Sequence, residues 1–70
     1  MDRYDLAWAE RVKSEYDELL GRIMRLDGFL KSEPKIDKQD VLLLNAQLDA
    51  MRGYEGILVA RLYYHDIEID

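Results

Sequence analysis

Leu43-Leu44-Asn45-Ala46-Gln47-Leu48-Asp49-Ala50-Met51-Arg52-Gly53-Tyr54-Glu55-Gly56-Ile57-Leu58-Val59-Ala60-Arg61-Leu62 is a helical run with two apolar faces. Val41, Leu44, Leu48, Met51, Leu58 and Leu62 form one stripe at helical spacing, interrupted by Glu55. Leu43, Ala50, Tyr54 and Ile57 form a second, with Gln47 and Arg61 in the same line. A helix packed on its own chain needs one stripe, so the second asks for another surface, and a further copy of the chain is the expected cover. Ala46, Ala50, Gly53, Gly56 and Ala60 add a groove of small residues that could admit another backbone or a flat ligand. Pattern alone favours a tight helix crossing there.

Working outward, Asp37 is a plausible N-cap for this helix, predicted over about residues 38–64. Pro34 divides the chain. Before it, Val12, Tyr16, Leu19, Ile23, Leu26 and Leu30 step by four, three, four, three and four, the spacing of a coiled-coil-like seam. This predicts a first helix over about residues 3–32, capped by Asp2 or Asp5, with Leu6 and Trp8 in a short first segment that bends away. Gly21 and Gly28 weaken it by up to about 1 kcal/mol each and would mark a bend or a close backbone approach. The short linker Ser32-Glu33-Pro34-Lys35-Ile36 makes the two helices antiparallel neighbours. The tail, residues 65–70, alternates polar and apolar residues and reads as a short strand or a frayed end. The fold class is therefore all-α: one domain over residues 1–70, an antiparallel helical hairpin with a short N-terminal helical segment, assembled as a homo-oligomer.

Length supports the assembly. A chain of 70 residues buries only about 60–65% of the surface its unfolded form exposes, and with no cysteine it has no disulfide or thiolate metal site to supplement a marginal core. Neither a long apolar run nor a signal-peptide pattern is visible, so a soluble cytoplasmic protein is the default expectation. The net charge of −5 opposes adhesion to nucleic acid or anionic lipid, so no DNA, RNA or membrane partner is expected and an anionic ligand would need a local basic pocket.

Catalysis is not expected. His65 is the only histidine, no Glu-x-x-His pair exists, and no cysteine is present, so neither a zinc nor a di-iron site can be assembled within one chain. Ser14 and Ser32 lack a histidine base, and Gly53-x-x-Gly56 lies in a helix pattern rather than a phosphate loop. Arg11 with Glu15 and Glu18 with Arg22 read as a salt-bridged, solvated face. No cofactor is implied.

Arg11-Val12-x-x-Glu15-Tyr16-x-Glu18-Leu19-x-x-Arg22-Ile23-x-x-Leu26-x-x-Phe29-Leu30, followed by Gln47-Leu48-x-Ala50-Met51-x-x-Tyr54-x-x-Ile57-Leu58-x-x-Arg61, resembles the phage anti-CBASS sponges of the second type described, small proteins that sequester cyclic oligonucleotide signals. The resemblance covers roughly residues 10–62. It implies a helical homohexamer in the cytoplasm of the infected bacterial host, binding cyclic di- and trinucleotides such as cyclic GMP-AMP without cutting them and so starving CBASS effectors of their activator. Some members of that family also take up the cyclic ADP-ribose signals of Thoeris defence.

By the same resemblance, Tyr16 stacks on a base and Lys31 contacts phosphate of a cyclic dinucleotide, while Arg61 binds phosphates of a cyclic trinucleotide. The chemistry suits, since aromatic stacking on a base is worth about 1–3 kcal/mol and an ammonium neutralises a phosphate. Asp17 departs from relatives with an uncharged amide after the tyrosine, and a carboxylate there repels phosphate. That repulsion counts against trinucleotide binding in particular. Lys35 and Lys38 would either add positive potential near Lys31 or serve loop solubility. Each site residue has a plainer reading: Tyr16 as core, Lys31 as complement to the helix dipole, Arg61 as an interface salt bridge. Fifteen residues separate Tyr16 from Lys31, about 22 Å along a continuous helix and roughly twice the width of a cyclic dinucleotide, so the site is expected between protomers. The competing class is an interaction protein that oligomerises or docks on a host protein through its second apolar face, with no small ligand.

Overall fold

The computed structural model describes residues 6–67. Two helices, α1 (Leu6–Lys31) and α2 (Lys38–Tyr64), pack against each other as a hairpin with no strand among the described residues. Trp8, near the start of α1, meets His65, just after α2, so the helices run antiparallel.

Asp37 caps α2 as expected: its backbone is extended and its carboxylate accepts from the Asp40 N–H at 3.1 Å. The end of α1 solves a harder problem. Glu33 adopts φ 57° and its N–H donates to the Leu30 carbonyl at 3.3 Å, half of the usual left-handed helix stop. The residue that would complete the stop by donating to the Phe29 carbonyl is Pro34, which has no N–H. The Ser32 backbone N–H, at 3.2 Å, and the Ser32 hydroxyl, at 2.6 Å, both donate to that carbonyl instead. The chain thus turns in a short corner without orphaning the carbonyl.

At the end of α2 the full motif forms. Asp66, at φ 60°, donates to Tyr63 at 2.9 Å, and Ile67 donates to Leu62 at 2.9 Å while its side chain packs on the core. The tail through Ile67 is therefore a closed helix cap, not a strand or a frayed end; residues 68–70 lie outside the described region. Periodicity of two misled here because an apolar residue after a left-handed cap is placed by the cap, not by a pleat.

The separate first segment is also corrected. Leu6 and Trp8 belong to the uninterrupted first turns of α1, since nothing between them and Val12 breaks a helix; Asp2 and Asp5, the predicted caps, lie outside the described residues.

Ala9 is buried, and Val12, Leu19 and Ile23 of α1 with Leu48, Leu58 and Leu62 of α2 form the buried core, against which Trp8, Tyr16, Leu26, Leu30, Met51 and Ile67 pack. Each fully buried leucine contributes about 1.5–3 kcal/mol by leaving water. The first stripe of α2 thus faces α1. Its second stripe does not: Leu43 is 57% exposed, Tyr54 43% and Ile57 59%.

The small residues share this outward face. Ala46, Ala50, Gly53, Gly56 and Ala60 are all exposed, and a Cβ built on Gly53 or Gly56 would meet nothing within 4 Å. The tight crossing that the pattern favours is therefore not the crossing of α1 with α2. The glycines of α1 mark no close approach either: a Cβ on Gly28 meets nothing, and one on Gly21 meets only the Arg25 guanidinium at 3.4 Å.

Candidate functional site

Tyr16 sits midway along α1, half-buried and packed against the core, so part of its ring serves the hairpin and the rest stays accessible. Lys31 occupies the last turn of α1, its side chain 76% exposed, with Nζ 3.0 Å from Asp27 Oδ2. Because α1 is one unbroken helix, the two residues stand about 22 Å apart along its axis. The structure does not bring them together within one chain. Asp17, Lys35 and Lys38 are exposed.

Lys31 is not a solitary cation. Asp27 accepts from it and also from Arg52 Nη2 on α2, at 3.3 Å. The hydrogen bond from Lys31 is the main influence holding the Asp27 carboxyl below its ordinary value, partial desolvation opposes it, and the charges of Lys31 and Arg52 add to the lowering. Beside this cluster a cleft of about 380 Å³ lies between the end of α1 and the start of α2, walled by Leu30, Val41 and Leu48 and rimmed by Asp27, Lys31 and Glu33. The Asn45 amide there donates back to the Val41 carbonyl at 2.9 Å.

Arg61 is at the opposite end of the hairpin. Its guanidinium lies 5.6 Å from the centroid of the Trp8 ring, within cation–π range. Trp8 in turn meets His65 edge-on at 5.2 Å, and Tyr64 meets His65 at 5.1 Å. These residues with Ile57 and Ala60 line a second hollow of about 380 Å³, mostly apolar with one cation at its edge. Tyr16, Lys31 and Arg61 thus occupy the middle and the two ends of one rod, and none of the three meets another within the chain.

Sequence reasoning did not single out Asp27, Arg52 or the Trp8 platform. The Asp27–Lys31 pair was readable from its spacing of four. Arg52 and Trp8 were not, because their partners depend on the register between the helices. The pairs that were expected, Arg11 with Glu15 and Glu18 with Arg22, do not close among the described residues; the ion pairs there are Lys31–Asp27 and Arg52–Asp27. Exposed side chains hold such pairs weakly against water and rotamer entropy.

Among the described residues no group of three or more His, Asp or Glu side chains could hold a metal ion. No helix among them is long and apolar enough to cross a membrane. A profile of the Sequestin family matches residues 6–64, which span both helices from end to end. Neither the curated proteins nor the solved structures give a match.

Proposed function

The chain belongs to the Sequestin family, and on that premise we propose that it is a non-catalytic phage sponge that binds cyclic dinucleotide immune signals, and secondarily cyclic trinucleotides, in the cytoplasm of the infected host. Sequestration blocks activation of CBASS effectors, and of Thoeris effectors where cyclic ADP-ribose signals are also held. The family supports a sequestering role; the ligand class rests on the resemblance of Tyr16, Lys31 and Arg61 to the binding residues of the anti-CBASS sponges.

The observation that carries the reading is α1 itself, unbroken from Leu6 to Lys31 with a partly accessible aromatic ring at its middle and an ammonium at its end. A ring and a cation about 22 Å apart can grip one small anion only if another copy supplies the second of them. The outward face of α2, with Leu43, Tyr54, Ile57 and the small residues, offers the surface on which copies would associate into a hexamer. Binding and assembly are then linked. Arg61, held over Trp8, serves the trinucleotide.

Calorimetric titration with a panel of cyclic di- and trinucleotides tests the proposal. Saturable binding that disappears in Tyr16→Ala and Lys31→Ala, with the oligomer retained by light scattering, supports it. The same exposed face of α2 also fits a purely interacting module, and absence of heat with every ligand, in a chain that still oligomerises, would establish that reading instead.

A further inference from the structure

The Asp27 cluster has an arrangement that a simple helix staple does not need. Lys31 from α1 and Arg52 from α2 are 21 positions apart in the chain, yet they converge on the two oxygens of one carboxylate, at 3.0 and 3.3 Å. The carboxylate lies inside, its side chain 28% exposed, and the cations lie outside, at 76% and 53%. Arg52 makes one Nη2 contact with Asp27, which leaves most of its five-donor fork unused by that pair. The cleft adjoining the cluster has apolar walls in Leu30, Val41 and Leu48 against which a flat ring can lie.

Resting on the proposed binding of cyclic nucleotides, we propose that Lys31 and Arg52 together form the phosphate-contacting pair of the site and that Asp27 is the group which a ligand phosphate displaces from them. One carboxylate neutralises half of the two cations, so the free cluster keeps a single positive charge, and the incoming phosphodiester replaces an anion of equal charge with better-matched geometry. Arginine recognises phosphate through paired donors, a contact that lysine alone cannot make. Glu33 on the rim of the cleft adds a second carboxylate, so phosphate is held at the mouth by direct contact with Lys31, which lines the cleft, and with Arg52, which reaches the cluster from beyond it through Asp27, rather than by a diffuse positive field. With its carboxyl held low by Lys31, Asp27 is charged at neutral pH, and the exchange is anion for anion.

The test compares Asp27→Asn and Arg52→Ala with the wild-type protein by titration with cyclic GMP-AMP. Both variants remove the same link between the helices, so a stapling role moves affinity in the same direction in both or in neither. Displacement gives opposite signs: Arg52→Ala weakens binding about tenfold, and Asp27→Asn tightens it about two- to fivefold. Circular dichroism checks that both variants remain folded. Changes of the same sign, or none, overturn the proposal while leaving the sponge reading intact. Failure of the wild-type protein to bind any cyclic nucleotide sinks that reading instead. The pair is then judged with inorganic pyrophosphate, by nuclear magnetic resonance of the Arg52 and Lys31 side chains: joint, saturable shifts uphold it and silence from Arg52 refutes it.

Discussion

A complementation experiment tests the proposed sharing of the site between copies. Tyr16→Ala and Lys31→Ala are each expected to abolish cyclic dinucleotide binding when every copy carries the change. In an unbroken α1 the two positions lie about 22 Å apart, so under the proposed function each site would take its ring from one copy and its ammonium from another. When the two variants are mixed in equal amounts and allowed to exchange subunits, a site is intact if the ring donor is the Lys31→Ala chain and the ammonium donor is the Tyr16→Ala chain. Each condition is met half the time, so roughly a quarter of the sites recover, with wild-type affinity in that fraction. Calorimetric stoichiometry reads the fraction, and native mass spectrometry confirms that mixed oligomers have formed. Mixed oligomers without recovered sites would show that both residues act within one chain or that one of them does not touch the ligand, and the geometric argument would fail.

Other expectations follow from the fold. Leu58 is fully buried between the helices, and Leu58→Ala is expected to cost about 2–5 kcal/mol, enough to lower the melting temperature by more than 8 °C in thermal denaturation. Ile57→Glu places a charge on the outward face of α2, where the native side chain is 59% exposed; helicity should persist by circular dichroism while light scattering shows a smaller assembly, and an unchanged mass would remove this face from the interface. Asp37→Ala deletes the N-cap of α2 and should destabilise by about 1 kcal/mol in urea titration. The Asp27 carboxyl is held below its ordinary value near 3.8 by Lys31, so its ion pairs favour the folded state above that pH and the contribution is lost as acidification passes the lowered value. Denaturation between neutral pH and pH 2 should show a shallower acid loss in Asp27→Asn than in the wild type.

Helix two was legible almost to the residue, because Asp37 supplies a cap with a clear chemical signature and the apolar spacing continues to Tyr64. The two stripes of that helix were also legible, and they separate in the structure: Leu48, Leu58 and Leu62 inside, Leu43, Tyr54 and Ile57 outside. What periodicity could not supply was the register of one helix on the other. Register decides that Arg52 reaches Asp27 and that Arg61 rests on Trp8. The small residues were visible as a groove, but a helix wheel does not say which face meets which neighbour, and in the structure that groove does not meet α1. Tyr16 and Lys31 entered through resemblance alone; spacing added the constraint that they cannot act together in one chain.

The stack at the open end of the hairpin gives the protein a built-in optical reporter. Trp8 is the only tryptophan in the chain, and it lies against both the Arg61 guanidinium and the His65 ring. Its emission therefore arises from one place, and any event that lifts Arg61 away from the indole changes the intensity without a label or a mutation. A ligand held near Lys31, at the far end of the rod, does not touch that stack, so a direct change in Trp8 emission in an already assembled protein marks the Arg61 end.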